Sequence, residues 1–120
     1  MTNSNKDWAY LERFRLENEI IQLHNDENRI VFIGDSIIAG WNKEPLFIEN
    51  RHFINRGING QTTSQILHRF QQDVIDLKPK FVVILVGTND IAENLGPITL
   101  EQIQNNFISM IELAKANAIK

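Results

Sequence analysis

The amino-acid sequence predicts an α/β fold, a three-layer α/β/α sandwich around a flavodoxin-like parallel sheet. Three observations carry that expectation. The runs Ile30-Val31-Phe32-Ile33 and Phe81-Val82-Val83-Ile84-Leu85-Val86 are continuously apolar rather than alternating, as in parallel strands covered on both faces. The segments between strands carry apolar residues at helical spacing, which supplies the crossovers that parallel strands require. The order is one helix, then strand-helix three times.

Taken in order, Trp8, Leu11, Phe14, Ile20 and Ile21 recur at helical spacing among Glu12, Arg13, Arg15 and Glu17. They predict a first helix from about Asp7 to Leu23. Asn25-Asp26-Glu27-Asn28 breaks it, and strand one is Arg29 to Ile33. A short helix opens at Ser36 and stops near Gly40-Trp41. A loop containing Pro45 leads to strand two, His52 to Asn55. The next helix runs from Thr62 to about Leu77. Thr62 and Gln65 have capping-box spacing, and Ile66, Phe70, Val74 and Leu77 line one face.

Pro79 separates that helix from strand three, Phe81 to Val86. After Gly96-Pro97, Thr99 and Gln102 repeat the capping-box pattern. Ile103, Phe107, Met110, Ile111 and Ala114 then form the buried stripe of a last helix ending near Lys120. Strand one is expected at the centre, between strands two and three. Residues 1–120 are expected to form a single domain, with 1–28 as an N-terminal helix and lead-in.

Composition narrows the classes of function. A chain of 120 residues is large enough for one real core. The net charge of −3 offers no electrostatic case for nucleic acid. With no cysteine there is neither a disulfide frame nor a thiolate metal site. No metal-ligand cluster stands out, and the glycine turns lack a phosphate-binding pattern, so no cofactor and no metal are expected. The first six residues lack the apolar stretch of a signal peptide. The longest apolar run, Phe81 to Val86, is far too short to span a bilayer. The expectation is a cytoplasmic chain without membrane insertion, with removal of an export signal as the open alternative.

In open parallel sheets, sites lie at the carboxyl ends of the strands, near the point where strand order reverses. Three turns leave those ends: Gly34-Asp35-Ser36, Gly57-Ile58-Asn59-Gly60-Gln61-Thr62 and Gly87-Thr88-Asn89-Asp90. Acyl transfer through a serine needs a nucleophile and donors aimed at the developing oxyanion. Ser36 is the candidate nucleophile, with its own amide at a helix start. Gly60 can bring a bare amide close, and the Asn89 side chain is a neutral donor of the right reach.

Gly34-Asp35-Ser36-Ile37 resembles the first block of the GDSL, or SGNH, hydrolase family, with isoleucine in place of the usual leucine. Gly60 with Gln61-Thr62-Thr63 resembles the second block and its oxyanion glycine. Gly87-Thr88-Asn89-Asp90 resembles the third, whose asparagine is the other oxyanion donor. The wording of the second and third blocks is most similar to the platelet-activating factor acetylhydrolase branch. The resemblance spans Gly34 to Asp90. It implies Ser36 as nucleophile, Gly60 and Asn89 as oxyanion donors, and Gly34, Asp35, Gly87 and Asp90 as supporting residues. The family's fourth element, an Asp-x-x-His carrying the catalytic histidine and its aspartate, occurs nowhere in the 120 residues. The chain is therefore expected to hold three βα units of five.

Each of these residues also has a structural role to weigh. Ser36 could be a helix N-cap. Gly34, Gly57 and Gly87 are expected for backbone conformation. Asp35 is expected to hold its turn through backbone amides, and Asp90 to be a turn or cap residue. Trp41 could line an acyl pocket or pack under its loop. His24 follows the first helix, His52 begins strand two at the far end of the sheet, and His68 lies mid-helix. A surface or structural role is expected for all three.

The leading expectation is thus a serine esterase or acylhydrolase acting on a small-molecule, short acyl ester, inactive as this chain alone. The alternative is a non-catalytic binding or assembly module that forms a homodimer through an exposed third strand. A ligand-binding or signalling domain of unrelated ancestry lacks support, because the phosphate loop of a flavin binder is missing and Asp35 stands without an acidic cluster.

Overall fold

The computed structural model describes residues 7–120. The absence of a leader read from the first six residues lies outside them. Strands β1 (Ile30–Gly34), β2 (Phe53–Gly57) and β3 (Phe81–Leu85) form one parallel sheet in the order β2-β1-β3. Ile30 stands opposite Phe53 and Phe81, and Gly34 opposite Gly57 and Leu85. The three strands therefore end level, and their exit turns emerge along one edge. The helices are α1 (Arg15–Gln22), α2 (Ser36–Gly40), α3 (Pro45–Ile48), α4 (Thr63–Asp73), α5 (Thr88–Ile91) and α6 (Leu100–Ala116).

The β-branched and aromatic residues of β1 divide between two layers. Val31 and Ile33 are fully buried and join Ile66, Phe70 and Val74 of the α4 region and Met110 and Ala114 of α6 in the main core. On the opposite face Phe32 meets Trp41, Phe47 and Phe53, with ring centroids 5.9, 5.0 and 4.9 Å away. Trp41 thus packs beneath its loop. Strand one is central, as the sequence predicts.

Several local expectations change. The first helix begins at Arg15, not Asp7. Asp7 draws the amides of Leu11 and Glu12 onto its carboxylate at 2.7 and 3.2 Å, and Tyr10 takes a left-handed φ of 59°. Residues 7–14 are therefore a run of turns. The helical phase is set from buried Phe14 and Asn18, which leaves Ile20 exposed. Strand two begins later than expected and extends to Gly57. Helix α4 ends at Asp73, where Val74 leaves helical geometry, and a 3-10 turn over Ile75–Leu77 completes the apolar stripe.

The last helix stops at Ala116 rather than near Lys120. Ala118 adopts a left-handed φ of 59°, and the Ile119 amide returns to the Ala114 carbonyl at 2.9 Å. Buried Ile119 then enters the core. Lys120 pairs with the outer edge of β3: its amide donates to Lys80 O at 3.1 Å, and its carbonyl accepts from Val82 N at 2.8 Å. On α6, Ile111 is exposed while Met110 and Ala114 are buried. Strand three is covered on one face, not two, since Phe81, Val83 and Leu85 are 39, 38 and 40% exposed.

Candidate active site

The first turn is built by Asp35. Its carboxylate is buried, accepts from the Ile37 amide at 3.1 Å and caps α2. It also accepts from the Thr88 hydroxyl at 3.2 Å, which joins the first turn to the third. With Asp35 as cap, Ser36 occupies the first helical position and is exposed. Helix α2 has five residues, so any dipole behind Ser36 is that of little more than one turn.

The glycines serve two purposes. A Cβ on Gly34 would lie 2.1 Å from Leu85 O, and one on Gly57 would lie 2.2 Å from Ala39 N. These two are required by close approach of β3 and α2, rather than by backbone conformation as expected. Gly60 and Gly87 are the conformational pair, with φ of +79° and +137° and open space where a Cβ would stand.

Among the described residues, the amides of Ser36 and Gly60 donate no hydrogen bond. The Asn89 side chain donates from Nδ2 to Gln61 O at 3.1 Å, which sets it beside the Gly60 turn. Asp90 is buried and accepts from Thr63 N at 2.8 Å and Thr63 Oγ1 at 2.6 Å. It is a cap, but for α4 rather than for its own helix. Asn106 of α6 donates to the same Thr63 hydroxyl at 2.9 Å. The second and third turns are thereby locked together.

Beneath them lies a buried polar chain that sequence reasoning missed. The Arg69 guanidinium donates to Gln61 Oε1 at 2.6 Å, Gly34 O at 3.2 Å and Asp73 Oδ2 at 3.1 Å. Asp73 Oδ1 accepts from Asn18 Nδ2 at 2.7 Å, and Asn18 Oδ1 accepts from Arg56 Nε and Nη2 at 3.0 and 2.8 Å. Arg56 lies 4.5 Å over the Phe14 ring. Burial pushes the Arg56 guanidinium down to about 10, with Asp73 and Glu17 opposing the shift. It also lowers that of Arg69, against the neighbouring Asp73. Among the described residues every buried side-chain polar atom has a partner. The signal was present in the sequence: Arg69 and Asp73 stand four apart on the same helical face as Ile66, Phe70 and Val74. A charged pair on an apolar face asks for a buried partner.

Glutamine amides also anchor the lead-in to α4. Gln61 Nε2 donates to Ala9 O at 2.8 Å, Gln65 Nε2 to Trp8 O at 2.6 Å, and Gln72 Nε2 to Leu11 O. A cavity of about 390 Å³ lies beside the site, lined in part by Trp8, Thr62, Asp90, Leu95, Pro97 and Asn106.

The imidazoles of His52 and His68 have other partners. His52 Nδ1 is 2.8 Å from Asp26 Oδ2, at the amino end of the sheet. The His68 ring packs on Trp8 at 5.5 Å, and exposed His24 lends its carbonyl to Arg29. No group of three or more potential metal ligands occurs among the described residues.

The model of the GDSL-like lipase/acylhydrolase family matches residues 32–120. The chain is 39% identical over 74 residues to the uncharacterized lipoprotein YqeF of Bacillus subtilis, covering 59% of this chain and 30% of that protein. It is 31% identical over 91 residues to platelet-activating factor acetylhydrolase IB subunit alpha1 of Rattus norvegicus, covering 72% and 37%. Among solved structures, a GDSL-like lipase from Bacteroides thetaiotaomicron superposes with a TM-score of 0.87 at 46% identity, covering 93% of this chain and 56% of that one. The chain spans about a third of the length of the curated relatives it matches. The name of the Bacillus relative, a lipoprotein, does not support the cytoplasmic expectation. Among the described residues no helix is long and apolar enough to cross a membrane.

Proposed function

The chain belongs to the GDSL-like lipase/acylhydrolase family, and on that premise we propose that it carries the nucleophile and oxyanion donors of a serine esterase acting on short acyl esters. One observation carries the reading. Three level strand ends deliver Ser36, Gly60 and Asn89 to one edge of the sheet, with the Ser36 and Gly60 amides uncommitted.

In the reaction, Ser36 Oγ attacks the ester carbonyl and loses its proton to a histidine. On this reading that base and its orienting aspartate belong to residues other than these 120, because His52 is paired with Asp26, His68 packs on Trp8, and His24 follows α1 beside Arg29. The tetrahedral oxyanion accepts from Ser36 N, Gly60 N and Asn89 Nδ2. Collapse expels the alcohol, which takes the proton from the imidazolium. Water then attacks the acyl-serine by the same route and releases the acid. No cofactor enters these steps. The rat relative is an acetylhydrolase by name, which supports an acetyl group as the acyl portion.

The test uses p-nitrophenyl acetate. In the protein at its natural length, Ser36→Ala abolishes turnover. The 120-residue chain alone works near background, since a triad enzyme without its base retains about 10³–10⁴ over water. Rapid turnover by the 120-residue chain that Ser36→Ala abolishes would place the base within these residues. Undiminished turnover by the natural-length Ser36→Ala protein would remove serine from the mechanism.

The exposed side chains of Phe81, Val83 and Leu85 favour a second reading, an assembly module that pairs through β3. Against it, the hydrogen bonds of Lys120 with Lys80 O and Val82 N already occupy part of that edge within the chain. Under the second reading the 120-residue chain is a stable dimer by light scattering, and a well-behaved monomer counts against it.

A further inference from the structure

Asn94 returns to Asn89 twice. Its backbone amide donates to Asn89 O at 3.0 Å, and its Nδ2 donates to Asn89 Oδ1 at 2.6 Å. On the other side, Asn89 Nδ2 donates to Gln61 O at 3.1 Å. A backbone carbonyl only accepts, so the nitrogen of the Asn89 amide must face Gln61 and its oxygen must face Asn94. That oxygen accepts from Asn94 Nδ2. The loop delivering Asn94 turns at Glu93, a non-glycine residue with φ +58°, and Gly96 N donates to Glu93 O at 2.9 Å. A non-glycine residue keeps such a conformation only where its surroundings impose it.

We propose that Asn94 is a positioning residue that, together with Gln61 O, holds the face the Asn89 amide presents. Nδ2 carries two hydrogens, and Gln61 O takes one. The second is left for a ligand beside the Gly60 turn. An amide turned through half a revolution would present Oδ1, an acceptor, where negative charge develops. The catalytic consequence rests on the esterase reading, whereas the orientation itself does not.

Asn94→Asp replaces the donor with an acceptor facing Asn89 Oδ1, and Asn94→Ala removes it. Asn94 is exposed, so both variants should keep the parent's melting midpoint. The measurement is hydrogen exchange of the Asn89 side-chain amide, followed by NMR on protein labelled with ¹⁵N-asparagine. Both variants should exchange about tenfold faster than the parent, as for loss of one ordering hydrogen bond. In the natural-length protein, kcat for p-nitrophenyl acetate should fall up to about 10²-fold with KM unchanged, as for a misaimed oxyanion donor. Unchanged Asn89 exchange in both variants overturns the proposal, whatever happens to turnover. If the unmodified protein hydrolyses no ester, the esterase reading fails while the exchange arm still decides the positioning role.

Discussion

The buried guanidinium of Arg69 donates to the carbonyl of Gly34 at 3.2 Å, two residues ahead of Ser36. The same group holds Gln61, next to Gly60, at 2.6 Å. One fully buried cation therefore sets the spacing between the nucleophile turn and the oxyanion turn. Arg69→Met leaves the buried Asp73 carboxylate without its direct ion-pair partner, with Arg56 reaching it only through Asn18, at a cost of about 3–5 kcal/mol. Urea denaturation measures it, and a loss below about 1 kcal/mol would mean that the network contributes little.

Asp35, not Ser36, caps α2. Asp35→Ala should cost about 1–2 kcal/mol. Ser36→Ala, at an exposed first helical position, should stay within about 0.5 kcal/mol of the parent. Equal losses in the two variants would return Ser36 to a structural role.

Gly34 and Gly60 should respond differently to alanine. At Gly34 the new methyl group would meet a backbone oxygen at 2.1 Å, forcing β1 and β3 apart at a cost of about 3 kcal/mol or more. At Gly60 there is open space and a φ of +79°, so the loss is the left-handed penalty of about 1–2 kcal/mol. Thermal midpoints of the two variants rank them, and the reverse ranking would contradict the packing of β1 on β3.

The hydrogen bond from His52 holds the Asp26 carboxyl below its usual range of 3.8. A carboxyl lowered in the folded state contributes stability that is fully present above its unfolded pKa and lost as pH falls through the folded one. Stability should therefore decline below about pH 4. Acid titration of Asp26→Asn should show a shallower decline in that window, and identical acid profiles would remove the pair from the account.

Much of the fold was legible because its signals are local. The apolar runs of β1 and β3, the Thr99-Gln102 box and the stripe Ile66, Phe70, Val74 all act within a few residues. Their periodicity survives folding, and both bonds of the Thr99 box form, at 2.9 and 3.0 Å. The first helix was misjudged because one side chain, Asp7, captures the amides of Leu11 and Glu12 and diverts the chain before Arg15. Burial of a single glycine against a neighbouring strand likewise leaves no periodic trace, so the reason for Gly34 was misassigned.

By itself the sequence determined the parallel α/β architecture and the three turns that hold Ser36, Gly60 and Asn89. Hydrophobic period and turn chemistry are short-range, and those features need nothing more. Only the tertiary structure decided which groups hold the turns in place. Arg69 reaches Gly34 across 35 residues, and Asp90 reaches Thr63 across 27. Those meetings depend on strand register and on how α4 and α6 cross the sheet. A buried charge or amide is tolerated only where such long-range geometry completes its hydrogen bonds, and no local pattern in the chain encodes that geometry.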